Sequence, residues 1–230
     1  MKITPVFALI PTISLCLCAP VLAWWPQGHS IITAAAVESL PAAEIPAWFR
    51  DGRAQIAHGA QDPDVQKNRE LAVMNEAEFP QHFFDWELLQ GRPLPKSRAE
   101  FYQLCQKLKV NPSDVGEAPY AIAEATQRLT MIFAEARRWP DNPYIRTKAL
   151  VQAGILSHYS ADIAMPLHVT IHHDGRVLPN GKSPRTGIHS KVDSLIEKLA
   201  MKPETLAQNQ KIAAFPLLLP AIEAQMKDSQ

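Results

Sequence analysis

Apolar residues follow helical spacing along most of the chain, and prolines separate the helical stretches. Residues that recur every three or four positions form one apolar face of a helix. The predicted helices cover His29 to about Leu40, 97–109, 118–138, 143–165, 187–200 and a proline-interrupted pair over 203–228. Residues 68–92 and 172–187 lack this spacing and predict loops. Because strand-like alternation, repeats and long linkers are missing from the sequence, we expect an all-α, single-domain helical bundle.

The first 23 residues have the pattern of a secretory signal peptide. Lys2 gives a positive start, a proline-interrupted apolar run follows, and Val21-Leu22-Ala23 offers short residues to a signal peptidase. The apolar run is a poor candidate for a membrane span. We therefore expect cleavage after Ala23 and a secreted or periplasmic domain over residues 24–230.

The charge and the cysteines of the chain limit its partners and its means of stabilisation. Lys and Arg together number 23, as do Asp and Glu, and loss of Lys2 with the signal peptide would leave a net charge of −1. Such a chain has no basic field that would grip a long nucleic acid through its phosphates. Cys16 and Cys18 would also leave, so Cys105 would stand alone. The exported domain would then depend on its core or on metal rather than on a disulfide.

Two His-x-x-x-Asp pairs are the strongest chemical signal in the sequence. HYSADIAMPLH contains His158 and Asp162, and GIHSKVDSLIE contains His189 and Asp193. A spacing of four places each pair on one helix face, where both side chains can bind one ion. Either pair alone is as easily a surface ion pair. Two pairs with His168 between them indicate a metal site, and imidazole with carboxylate suits zinc.

Two upstream segments add further candidate ligands. GAQDPDVQKN places Asp64 in a Pro-Asp turn, with Asp62 as a rival, and PQHFFDWE contains His82. Taken alone, the first segment is turn chemistry and the second is aromatic packing. Asp85 is either an outer partner that orients His82 or a solvated surface residue.

In this order, the motifs resemble the zinc-dependent phospholipase C and single-strand-specific nuclease superfamily. The series comprises a Trp after the predicted cleavage site, a nearby Gly-His, G-x-x-x-P-D, H-F-x-D, H-x3-D-x5-H and H-x3-D, and it runs from Trp24 to Asp193. Members of that superfamily are helical and hold three zinc ions. The resemblance thus implies a trinuclear zinc enzyme that hydrolyses phosphoric esters.

The resemblance also implies a role for each matched residue. The implied ligands are Asp64, His82, His158 and Asp162 for one zinc; the amine and carbonyl of Trp24, His29 and the shared Asp162 for a second; and His168, His189 and Asp193 for the third. Only a free α-amino group can act as such a ligand, because the lone pair of an amide nitrogen is delocalised. Cleavage after Ala23 would therefore build the site. Asp64 is the implied catalytic residue, which orients or deprotonates the attacking water.

The positions expected to recognise substrate match neither branch of the superfamily completely. Choline-preferring phospholipases have an acidic residue and a Tyr where this chain has Gln27 and Val65, although Phe79 matches their third pocket aromatic. The nucleases place an aromatic platform for a base where this chain has Ser194 and Leu195.

Three functions therefore stay open at the level of sequence. A phospholipase C-type hydrolase, acting on phospholipid in transient contact with a membrane surface, is narrowly favoured. The alternative is a nuclease or 3′-nucleotidase acting on single-stranded nucleic acid, for which Phe83 would stack a base. The third is a zinc-binding protein without turnover. No protein partner is implied.

Overall fold

The computed structural model describes residues 26–210 and 212–230. The predicted signal peptide and the predicted ligand Trp24 lie outside these residues. All regular elements of the described chain are helical, and it contains no strand, which confirms the prediction of an all-α fold. Within the same residues, none of the helices combines the length and apolar character that crossing a membrane requires.

The helices are numbered in chain order, and most are short. They are α1 (Pro26–Ser39), α2 (Ala47–Asp51), α3 (Arg53–Gly59), α4 (Asp62–Gln66), α5 (Ala72–Glu78), α6 (Arg98–Leu108), α7 (Pro112–Val115), α8 (Ala118–Arg138), α9 (Pro143–Ala164), α10 (Ile188–Asp193), α11 (Leu195–Lys198), α12 (Pro203–Ala207) and α13 (Leu218–Asp228). Single 3₁₀ turns cover Phe79–His82, Trp86–Leu89 and Pro166–His168.

The predicted helix bounds are confirmed to within a few residues for α1, α6, α8 and α9. The helix predicted over 187–200 is real but divided at Ser194. The loop predicted over 68–92 is wrong, because this segment contains α5 and two 3₁₀ turns. Helix α5 has no apolar stripe to detect, since its one buried residue is Glu78. Helices α2 and α3 were also not predicted.

The two longest helices, α8 and α9, pack against each other and form the centre of the bundle. Only residues 139–142 separate them, and so short a connection makes neighbouring helices antiparallel. The side chain of Asn142 caps the start of α9 by accepting a hydrogen bond from the Tyr144 N–H at 3.0 Å. Pro166 follows the other end. The cap and the proline thus define α9, whose C-terminal half carries His158 and Asp162.

Two main apolar clusters hold the bundle together. The larger contains Phe84, Phe101, Cys105 and Tyr120, and the Cys105 thiol is buried in it. The other includes Ile56 and lies against the first half of α9. The C-terminal half of α9 packs on the larger cluster through Tyr159 and Ile163. It also carries the buried polar residues His158 and Asp162, and this is where the candidate site lies.

Gly154 allows α3 to approach the backbone of α9. An added Cβ at this residue would lie 2.7 Å from the carbonyl oxygen of Ile56 and 2.8 Å from the carbonyl carbon of Gly59. Because these are backbone atoms, they cannot move aside without displacing α3. The close approach lets the Ala60 carbonyl, just after α3, reach the His158 ring.

We predict that Gly154→Ala lowers the free energy of unfolding by roughly 1–3 kcal/mol, the usual cost of overpacking. Gly59→Ala is the matched control, because its Cβ would meet its nearest neighbours at an ordinary 3.9 Å. Urea unfolding of both variants checks this. Equal stability of the two variants would contradict the close-packing argument.

Candidate metal centre

The structure brings together all eight predicted ligands that lie within its described residues. Their ligand atoms form three groups, each with all atoms within 4.8 Å of one another. The groups are His29, His158 and Asp162; Asp64, His82 and His158; and His168, His189 and Asp193. All eight side chains are buried except that of His189, which is 26% exposed. Asp62, the rival of Asp64, is in none of these groups.

The Asp162 carboxylate lies between the groups and presents a different oxygen to each side. Its Oδ2 is 2.9 Å from His82 Nδ1 and 3.3 Å from His158 Nε2. Its Oδ1 is 3.4 Å from His29 Nε2 and 3.3 Å from His168 Nδ1. The two oxygens thus face different histidines, as those of a carboxylate shared by two ions would.

Backbone carbonyls orient two of the histidine rings. Nδ1 of His158 donates to the Ala60 carbonyl at 2.7 Å, and Nδ1 of His168 donates to the His82 carbonyl at 2.9 Å. Each ring then turns a lone pair on Nε2 toward its group. His158 Nε2 lies 2.9 Å from His82 Nδ1, and His168 Nε2 lies 2.9 Å from His189 Nε2. Lone pairs at this distance repel unless a proton or a cation lies between them.

Helix α1 delivers His29 to the site through two polar contacts with other helices. Thr33 and Ser157 share a hydrogen bond of 2.7 Å between their hydroxyls, which joins α1 to α9. The Gly28 N–H donates to Glu197 Oε1 at 3.0 Å, which joins the first turn of α1 to α11. The His29 ring stacks on His158 with their centroids 3.8 Å apart.

The segment that carries His82 is held by backbone hydrogen bonds on both sides. Phe84 N–H donates to the His168 carbonyl at 2.8 Å, and Ala118 N–H donates to the Phe83 carbonyl at 3.2 Å. Gly116 has a φ of +90° and would place a Cβ 2.1 Å from the Phe83 oxygen. A residue with a side chain at this position would therefore displace the segment.

The residues of the three groups fit a cation because many of their buried polar atoms have no hydrogen-bond partner. Ten buried side-chain nitrogen and oxygen atoms of the described residues have no hydrogen-bond partner, and eight of them belong to His29, Asp64, His82, Asp162 and Asp193. Leaving such atoms unpaired costs about 1–3 kcal/mol each. Two of the eight face a charged side chain, since Asp64 Oδ1 lies beside Lys67 and His82 Nε2 beside Glu78. Bound ions would satisfy the atoms that point into the groups. The three buried groups could therefore hold metal ions.

Electrostatics favour the binding forms of three predicted ligands, His29, His168 and Asp162. At His158, burial lowers the pKa, but the neighbouring carboxylates outweigh this and raise it. Burial, reinforced by other histidines, lowers the pKa of His29 and of His168 to about 4, so both rings are neutral lone-pair donors. Burial disfavours the charged form of Asp162, but His158 and His168 outweigh it and hold the pKa of Asp162 well below its usual range. Burial raises the pKa of Asp193, an effect that His189 partly offsets.

Lys67 is a site residue that the sequence reasoning missed. Its Nζ lies 2.6 Å from Asp64 Oδ1, and its side chain is only 10% exposed. The i,i+3 spacing from Asp64 was the available signal, but on a surface turn it would indicate an ordinary ion pair. In this buried position, Lys67 places a positive charge beside the groups, where it could bind an anionic oxygen of a ligand.

Asp85 is buried, which rules out the solvated surface residue considered from the sequence. It also does not partner His82. Within the described residues, the carboxylates in ion-pairing distance of the His82 ring are those of Asp64, Glu78 and Asp162. Burial, with a contribution from the nearby Glu87, raises the pKa of Asp85 to about 7.

This shift predicts a pH-dependent stability. Between about pH 4 and pH 7, the folded state keeps a proton on Asp85 that the unfolded chain releases. The contribution of Asp85 to the free energy of unfolding is therefore complete below pH 4 and is lost as the pH rises to 7. Relative to wild type, Asp85→Asn should gain roughly 2–4 kcal/mol of stability from pH 4 to pH 8.

Urea unfolding across this pH range checks the Asp85 prediction. Asp141→Asn is the control, since that side chain is fully exposed. Parallel stability curves for wild type and Asp85→Asn would contradict it.

The position of Asp162 between two groups predicts how its substitution changes the metal content. Asp162→Asn should deplete its own group with His29 and, because its Oδ2 faces His82, the neighbouring group as well. Asp193→Asn should deplete only the group with His168 and His189. Each change keeps the side-chain size and removes the charge that binds the cation. Elemental analysis after dialysis measures the metal per chain. Equal losses in the two variants would argue against a bridging role for Asp162.

No protein-family profile, curated protein or solved structure matches this chain. The superfamily resemblance therefore rests on the order of the motifs.

Proposed function

We propose that the protein is an exported, zinc-dependent phosphoric ester hydrolase of the phospholipase C and nuclease superfamily. The observation that supports this most is the Asp162 carboxylate between two histidine-rich groups. Metal ions about 3.5–4 Å apart, when bound there, would supply Lewis acidity and a water of lowered pKa. The third group, with His168, His189 and Asp193, lies next to them through His168.

The residues of the chain then have separate tasks. Asp64 Oδ1 lies 3.8 Å from His158 Nε2 and 3.9 Å from His82 Nδ1, close enough to orient or deprotonate a water held between these groups. Asp162 is a better bridge than base, because ions bound on both sides of it would keep its carboxylate ionised. Lys67 would neutralise an anionic oxygen of the substrate. In this proposal, the site has an acceptor for the proton and cations for the charge of a phosphoric ester.

A phospholipid is the substrate class that the surface beside Asp64 favours. The segment from α4 to the first 3₁₀ turn exposes apolar side chains at five positions. These are Val65, Leu71, Val73, Met74 and Phe79. Apolar side chains on such a segment suit contact with a lipid surface. We therefore favour phospholipase C-type release of a head group.

Single-stranded nucleic acid is the second candidate substrate, because of two aromatic rings near the site. Phe79 is exposed and contacts the ring of the partly buried Phe83 at a centroid distance of 5.6 Å. An exposed ring can stack a base. Against this reading, the expected platform position Ser194 is fully buried and the next residue is Leu195, which is aliphatic.

The first experiment determines the intact mass and the zinc content of the protein from the exported fraction, followed by a substrate panel. We expect a chain that begins at Trp24, about three zinc ions per chain, and release of phosphorylated head groups from phosphatidylcholine or phosphatidylethanolamine vesicles. Nucleotide release from single-stranded DNA or RNA, without head-group release, would favour the nuclease. Full zinc content without turnover on either would leave a zinc-binding role.

We predict that Asp64→Asn lowers turnover by roughly 100-fold or more, the usual contribution of a general base, while much of the zinc stays bound. Asp62→Asn is the matched control, because it removes a carboxylate from the same short helix but outside the groups. Steady-state turnover on the preferred substrate measures both variants. Unchanged turnover in Asp64→Asn would remove this residue from the base role.

A further inference from the structure

The His82 ring has two nitrogens in two different environments. Its Nδ1 faces Asp162 and His158, both at 2.9 Å, and is the atom that would bind an ion. Its Nε2 points away from the groups and lies 3.3 Å from Oε1 of Glu78. Glu78 comes four residues before His82, so one helical turn brings the carboxylate beside the ring.

Other side chains hold the Glu78 carboxylate in this position. Tyr159 Oη donates to Glu78 Oε1 at 2.5 Å, and Gln81 Nε2 donates to Oε2 at 3.2 Å. Glu78 is 6% exposed and is the one buried residue of α5. A carboxylate would not be buried at the end of an otherwise exposed helix without such partners.

Tyr159 links this carboxylate to the rest of the groups. It follows His158 on α9, and its ring lies edge-on to His82 and to His158 at centroid distances of 5.5 and 5.6 Å. Its hydroxyl donates to the Glu78 carboxylate, so the ring that contacts both histidines is also tied to Glu78. Glu78 and Tyr159 thus form one rigid unit behind the His82 ring.

A histidine that binds a metal through one nitrogen needs a partner for the N–H on the other. A carboxylate in that place sets the tautomer, limits rotation of the ring and makes the ligand nitrogen more basic. For His82, this partner would be Glu78 rather than the sequence-predicted Asp85.

We propose that Glu78, held by Tyr159, is the positioning residue that orients His82 for metal binding through Nδ1. The inference rests on the metal centre of the proposed function and does not depend on which ester is hydrolysed. It assigns a metal-site role to α5, whose sequence has no metal-binding motif.

The test compares three variants by chelator competition for zinc. Glu78→Gln keeps the shape of the side chain and removes its charge, and Tyr159→Phe removes one hydroxyl and leaves the carboxylate. Glu76→Gln is the matched control, because Glu76 is exposed on the same helix. We expect Glu78→Gln to weaken one bound ion by about 10–100-fold and to leave the others at wild-type affinity. Tyr159→Phe should weaken the same ion by less, and Glu76→Gln should change nothing.

The measurement separates positioning from general stability. Thermal unfolding by circular dichroism is followed for each metal-free variant, and ¹⁵N chemical shifts report the tautomer of His82. If Glu78→Gln does not fold, the zinc affinity of Tyr159→Phe is the deciding measurement. The proposal would be overturned if the folded variants bind every zinc ion with wild-type affinity.

The outcomes for wild type distinguish this inference from the proposed function. Selective loss of one ion in Glu78→Gln, together with a wild-type protein that hydrolyses no ester, would leave the positioning role standing and refute the hydrolase. A wild-type protein that binds no zinc would overturn both.

Discussion

A fully buried carboxylate, that of Asp162, is the interaction on which the rest of the structure depends. Moving a lone carboxylate out of water costs several kcal/mol unless cations or donors surround it. Histidine nitrogens approach its two oxygens from α1, α9 and two 3₁₀ turns at 2.9 to 3.4 Å. These four elements therefore surround one negative charge with histidine rings.

Backbone atoms, rather than packed side chains, hold the elements that surround Asp162 in place. The Ala60 carbonyl orients His158, and this contact depends on Gly154, where α3 and α9 meet without a side chain between them. On the other side of the site, Gly116 lets the Phe83 carbonyl accept a hydrogen bond from Ala118. Both glycines thus act at a distance from the ligands by permitting backbone contacts.

The sequence predicted the parts of the site that repeat a spacing. His158, Asp162, His189 and Asp193 could be identified because a helix converts a separation of four into a shared face. The long helices could be predicted for the same reason, since apolar buried residues recur at helical spacing along α8 and the first half of α9. Helix α5 could not, because its buried residue is charged.

Lys67 and Glu78 were missed for a related reason. Each becomes significant only through a partner brought close by folding: Asp64 for Lys67, and His82 with Tyr159 for Glu78. The sequence offered Asp85 as a partner for His82, but a separation of three residues placed it on the other side of an extended Phe83. Its carboxylate is buried away from the ring.

Two hydrogen bonds couple the segment that carries His82 to the segment that carries His168. His168 donates from its ring to the His82 carbonyl, and Phe84 donates from its backbone to the His168 carbonyl. Neither segment can shift without pulling the other. A displacement of either segment would therefore move ligands of two groups at once, whereas loss of a single side-chain contact would act on one group alone.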